Sequence, residues 1–231
     1  MKKFAVILLG CAALLAPGTA GAAKRPVPAY AGTCGLPQAS PIWIDYGWPD
    51  LAQAFGQPGV VVSASSGDFG AQMRAAGAAT VFFDLYLKAR VGEPSAPADP
   101  DLIVEKANKL FDYAVQQMGC PTPTIVENEL FGAGLVTPWS ETNAQYRQNI
   151  LAFLQQLAAR GAHPVLLVNS PPYTAGDAGV WWQQVAGVAD IVREDYVSAN
   201  TVWKQGPVVG NRTLRNAYRR SIQDFTSIGI Q

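Results

Sequence analysis

PTIVENEL, residues 123–130, begins apolar and ends on Glu127, Asn128 and Glu129. A short run that turns polar only at its C-terminal end reads as a strand of a parallel sheet, covered on both faces. The same form recurs in PIWIDYG (41–47), GVVVSAS (59–65), ATVFFDLYL (79–87), PVLLVNS (164–170) and DIVREDY (190–196). Helical patterns fall between them. Asp99 is placed to cap a helix with Pro100 at its first position. Ile103, Ala107, Leu110, Phe111, Ala114 and Met118 then make one apolar stripe, and Gly119 closes it. Thr137 and Pro138 open a second helix, with Tyr146, Ile150, Phe153, Leu154 and Leu157 inward and Gly161 at its end. Weaker helical patterns cover 69–76, 179–188 and 212–228.

Strands alternating with helices imply an α/β fold with a parallel sheet. Two architectures fit. One is a (β/α)8 TIM-barrel-like fold, of which six units are visible. A full barrel takes about 250 residues, so the 231 residues read as a barrel domain (41–231) that is C-terminally incomplete after the sixth unit. The other is an open doubly wound parallel sheet. The barrel is preferred because no glycine-rich dinucleotide loop follows the first strand; GWPD (47–50) holds no phosphate-cradling glycines.

The first 22 residues read as a secretory signal peptide: Lys2 and Lys3, an apolar stretch, then Ala20, Gly21 and Ala22. The apolar stretch is shorter than the roughly 20 residues a membrane helix needs. LLGC (8–11) is similar to a bacterial lipoprotein box. However, the residues after Cys11 stay apolar and end in a better cleavage site, so export without a lipid anchor is expected. Residues 23–40, rich in Pro, Gly and Ala, read as an irregular arm.

Removing Lys2 and Lys3 leaves 15 basic residues against 17 acidic ones, and no basic run marks a nucleic-acid surface. In an exported chain the remaining pair, Cys34 and Cys120, is expected to form a disulfide. No loop has the spaced acids of a cation cage, and two cysteines with one histidine make a poor zinc set. No metal or cofactor is expected, and no later segment is long and apolar enough to span a membrane. A monomer is expected.

Ligands of parallel α/β folds sit at the C-terminal ends of the strands. Asp45, Asp84, Glu127, Asn128, Glu129, Asn169, Arg193, Glu194, Asp195 and Tyr196 all fall there. Period-two alternation places Glu127 and Glu129 on one face and Asn128 on the other. If the face toward the helices is apolar, the acids open into the barrel mouth. Crowded, partly desolvated carboxyls there would hold unequal protonation states, with Arg193 keeping a neighbour ionised. Glycoside hydrolysis needs such a division: one carboxyl protonates the leaving oxygen, and a second attacks the sugar or activates water. Trp43, Trp48, Trp139 and Trp203 lie in or after strand ends, where flat rings can carry a pyranose, although each alone is as well read as a core or lid aromatic.

On these residues, ENELFG (127–132) resembles the fourth strand of the clan of retaining TIM-barrel glycoside hydrolases. In that clan an Asn-Glu pair ends strand four. The resemblance implies Glu129 as general acid/base, Asn128 as the holder of the sugar 2-hydroxyl, and a glutamate nucleophile on a seventh strand. Glu127 is a second catalytic candidate from its position alone. Asp45, Trp43, Asp84, Asn169, Arg193, Asp195, Tyr196 and Trp139 are expected to line the carbohydrate site. A serine hydrolase is disfavoured: His163 precedes a strand, at the end away from the site, and the serines of SASSGD (63–68) lack a nucleophile elbow. A non-catalytic sugar- or wall-binding barrel is the competing reading, with the strand-end acids serving only as a stabilising network.

Overall fold

The computed structural model describes residues 43–45, 60–64, 79–194 and 198–230. Six strands form one sheet: β1 (Trp43–Asp45), β2 (Val60–Ala64), β3 (Ala79–Asp84), β6 (Thr124–Glu127), β7 (His163–Val168) and β8 (Asp190–Arg193). Two-residue strands β4 (Gly92–Glu93) and β5 (Ala96–Pro97) make a separate antiparallel ribbon. Every pairing in the large sheet is parallel, and its order is β1-β2-β3-β6-β7-β8. Each strand therefore lies beside its predecessor in the chain. A doubly wound sheet reverses its strand order at a switch point, and no reversal occurs among the described strands.

The helices are α1 (Leu87–Val91), α2 (Ile103–Met118), α3 (Glu141–Ala159), α4 (Asp177–Ala186) and α5 (Ala199–Thr226). The chain is thus a mixed α/β protein with a parallel sheet and helices between its strands. The α2 stripe buries the six residues that its spacing implies, and Gly119 ends it in the left-handed conformation at φ 61. Asp99 does cap, accepting from the Asp101 N–H at 3.0 Å, but it opens a 3-10 turn that runs into α2. For α3 the cap is Ser140, three residues after the expected Thr137. The Ser140 hydroxyl accepts from the Asn143 N–H at 3.3 Å, while Thr137 Oγ1 donates to the Ala175 carbonyl.

Two expected strand limits shift. β3 stops at Asp84 rather than continuing to Leu87, because the Asp84 carboxylate accepts the Tyr86 N–H at 3.3 Å and turns the chain into α1. His163 is the buried first residue of β7, not a loop residue. Its Nε2 lies 2.5 Å from Asp190 Oδ2, tying β7 to β8 at their N-terminal ends.

The two faces of the sheet differ. Phe82, Ile125, Leu166 and Val168 pack with buried residues of α1, α2, α3 and α4. The alternate positions Val61, Val81, Phe83, Val126, Val165 and Leu167 pack among themselves in a cluster made only of strand residues. This difference fixes where each polar residue at the strand ends points.

Candidate functional site

Asp84 and Glu127 are register partners at the C-terminal ends of β3 and β6. Alternation places Asp84 in phase with Phe82, and Glu127 with Ile125, so both fall on the helix side. The expectation that they open into a barrel mouth is corrected here. Its premise, that a helix-facing position must be apolar, fails because the two acids are accommodated there. Asp84 is 2% exposed and held by Arg90 of α1, with Nε 3.1 Å from Oδ2 and Nη2 3.3 Å from Oδ1. Glu127 is fully enclosed, and among the described residues no donor reaches either carboxyl oxygen. Burial pushes the Glu127 carboxyl well above the usual carboxylate range; the neighbouring Asp84 adds to this and Arg90 offsets part of it. Two carboxyl groups can hydrogen-bond to each other only through a proton that one of them keeps.

Asn128 follows in phase with Val126, on the strand-only side, and is half-buried. Its N–H donates to the Asp84 carbonyl at 3.0 Å, which extends the ladder one residue past the strand. Glu129, also half-buried, has φ 37. That left-handed conformation is uncommon for a residue with a side chain, and it recurs at functional sites. It interrupts period two, so the expected shared face of Glu127 and Glu129 does not carry across it. The Leu130 N–H then donates to the Leu167 carbonyl at 2.9 Å, and Leu130 enters the core. Asn169, one residue beyond β7 and half-buried, is in phase with Leu167 on the strand-only side. The rim of that side therefore carries the Asn128 and Asn169 amides and, in phase with Val192 one residue beyond β8, the half-buried Glu194 carboxylate, with Glu129 following Asn128. Such amides can both donate to and accept from hydroxyl groups.

Arg193 is in phase with Ile191, which packs on the helix-side core. Its Nε donates to Asp224 Oδ2 at 3.1 Å on α5, and Nη1 donates to the carbonyls of Val168, at 3.2 Å, and Glu194. It joins β8 to α5 rather than reaching the rim. Trp139, expected at a sugar face, packs against Trp181 at 6.4 Å between ring centres and 87° between planes. Trp203, on α5, is 85% exposed. Trp43 and Asp45 lie in β1, while Trp48, Asp195, Tyr196 and Cys34 lie outside the described residues. Cys120 is buried just after α2.

Arg147, on α3, is a residue that the sequence reading missed. Its guanidinium is 4.3 Å from the Trp181 ring centre, 5.4 Å from Trp139 and 5.8 Å from Trp182. Its Nη2 donates to the Gly132 carbonyl, and the neighbouring Tyr146 hydroxyl donates to the Phe131 carbonyl at 3.0 Å. The segment that leaves Glu129 is thus held from α3 at two successive carbonyls. Gly132 itself has φ 67, and a Cβ there would stand 2.7 Å from Pro94 Cγ. Burial pushes the Arg147 guanidinium down to about 10. The available signal was an arginine three residues before Ile150 and seven before Leu154, on the apolar stripe rather than the solvent face.

Among the described residues no helix is long and apolar enough to cross a membrane, and no group of three His, Cys, Asp or Glu side chains could hold a metal ion. Compared with known proteins, the chain matches no family model, no curated protein and no solved structure.

Proposed function

We propose that the chain is an exported, monomeric glycoside-hydrolase-like barrel protein that acts on a carbohydrate by the retaining route, with Glu129 as general acid/base. The observation that carries this reading is the placement of Glu129. It lies directly after Asn128, half-buried, at the C-terminal end of the fourth of six parallel strands arranged in chain order. The barrel is supported by that order and by the helices packing on one face while, among the described residues, the other face packs strand side chains only. In this reading Asn128 and Asn169 hold sugar hydroxyls. Glu127, enclosed beside Asp84, does not touch substrate, and the nucleophile is unassigned.

A non-catalytic carbohydrate-binding barrel is the second reading. It is favoured by the turning of Asp84 and Glu127 toward the helix layer, which takes two of the strand-end acids away from the strand-only side.

The test is Glu129→Gln in the full-length protein, with the expected seventh strand and its nucleophile present, assayed on activated aryl glycosides and on polysaccharides. The expected result is a loss of turnover of at least about 100-fold, the lower range for a general acid or base, with glycan binding retained. Unchanged turnover would remove Glu129 from the role. Glycan binding by the native protein without any hydrolysis would establish the second reading.

A further inference from the structure

An ionised carboxylate at position 127 would be both desolvated and unbonded, an arrangement proteins avoid by neutralising the group. The charged groups facing it are Asp84 on β3 and Arg90 on α1. On the other flank its register partner on β7 is the apolar Leu166. Arg90 already reaches both oxygens of Asp84. One cation beside two ionised carboxyls would leave an unbalanced buried negative charge. A proton kept on Glu127 removes it, and the resulting O–H has an acceptor in Asp84.

We propose that Glu127 is a proton-holding latch: its O–H bonds the Asp84 carboxylate, ties the end of β6 to the end of β3, and positions Asn128 and Glu129 at the rim. Asn128 is coupled directly, because its N–H donates to the carbonyl of the same Asp84. When pH rises through the raised folded value and the proton leaves to solvent, two adjoining carboxylates repel and the strand ends part. The consequence for catalysis rests on the role proposed for Glu129; the latch itself is tested without activity.

The sign follows from linkage. The Glu127 carboxyl is raised in the folded chain, so its contribution to stability is fully present below the unfolded pKa, about 4.3. It is lost progressively as pH rises toward the folded value. Across that window one such group lowers the folding constant about tenfold per pH unit. Glu127→Gln keeps the shape and a donor to Asp84 but has no proton to lose. Equilibrium denaturation across pH should therefore show this variant with a slope shallower by one proton, and more stable than the native chain at neutral and alkaline pH.

In parallel, the side-chain carboxyl carbon of Glu127 in the native protein, followed by NMR, should keep its protonated position at pH values above the ordinary glutamate range. A carboxyl that titrates in the ordinary glutamate range, or a variant that keeps the native pH slope, would overturn the latch. If the glutamine variant does not fold, the native titration decides alone. Either result leaves the turnover test of Glu129→Gln standing on its own.

Discussion

Arg147 is 1% exposed, and no carboxylate among the described residues offsets its charge. What surrounds it is aromatic: Trp139, Trp181, Trp182 and Tyr146 all lie within 6 Å of the guanidinium carbon. Ring faces attract a cation more strongly once it is desolvated, and a planar, weakly hydrated guanidinium suits such a box better than an ammonium. The same group supplies the donor that holds the Gly132 carbonyl. These two roles separate by substitution. Arg147→Lys keeps the charge but loses the planar fork and leaves a strongly hydrated ion in the box. Arg147→Met fills similar space with no charge to bury. The expected order of stability is native, then Met, then Lys, with the lysine variant losing about 3 kcal/mol, the scale for an uncompensated buried charge. Chemical denaturation measures this. A lysine variant as stable as the native chain would show that charge alone, and not the flat fork, is what the site uses.

Helices were more legible than strand ends, and the reason is local. The α2 stripe repeats over 16 residues, so periodicity alone identifies its buried side. The start of α3 was misplaced because Thr137-Pro138 and Ser140 both satisfy the local rule for a helix start; which one caps depends on what else Thr137 bonds, and that is the Ala175 carbonyl in a distant loop. The two residues therefore separate in experiment. Ser140→Ala removes the acceptor of the Asn143 N–H and should cost about 0.5–1 kcal/mol, the lower range for an exposed cap. Thr137→Ala should leave α3 helicity unchanged, because its hydroxyl donates outside the helix. Thermal melts of the pair check this, and an equal loss from both would mean that the cap is shared. Glu129 was legible as a polar strand end but not in its direction. A single left-handed residue resets the phase of everything after it, and nothing in Glu-Asn-Glu announces which residue will take that conformation.

Across the whole molecule, the alternation of strands and helices implied a parallel sheet, and the structure has one. The division of the sheet into a helix-packed face and a strand-only face was not legible, because parallel strands are apolar on both sides. That ambiguity sent Asp84 and Glu127 to the wrong face in the sequence reading. Packing is also uneven along the chain. α2 and α3 each bury a continuous apolar stripe, whereas α5, although 28 residues long, buries mainly Gly210, Ala217 and Phe225. Its first half is interrupted at Gly206, with φ 74, before Pro207, and Trp203 and Val208 stand exposed there. Local opening requires little energy where few apolar contacts are broken, so stability should fall along this gradient. In native-state hydrogen exchange, amides of β6, β7, α2 and α3 should exchange only with global unfolding. Those of α5 between Val202 and Thr213 should exchange at least about 100-fold faster, equivalent to an opening free energy lower by about 2.7 kcal/mol. The segment around Phe225 should fall between, because Phe225 packs on Trp182 at 5.0 Å between ring centres. Protection of residues 202–213 equal to that of β6 would mean that the exposed face of α5 is covered in solution, and would contradict this gradient of packing.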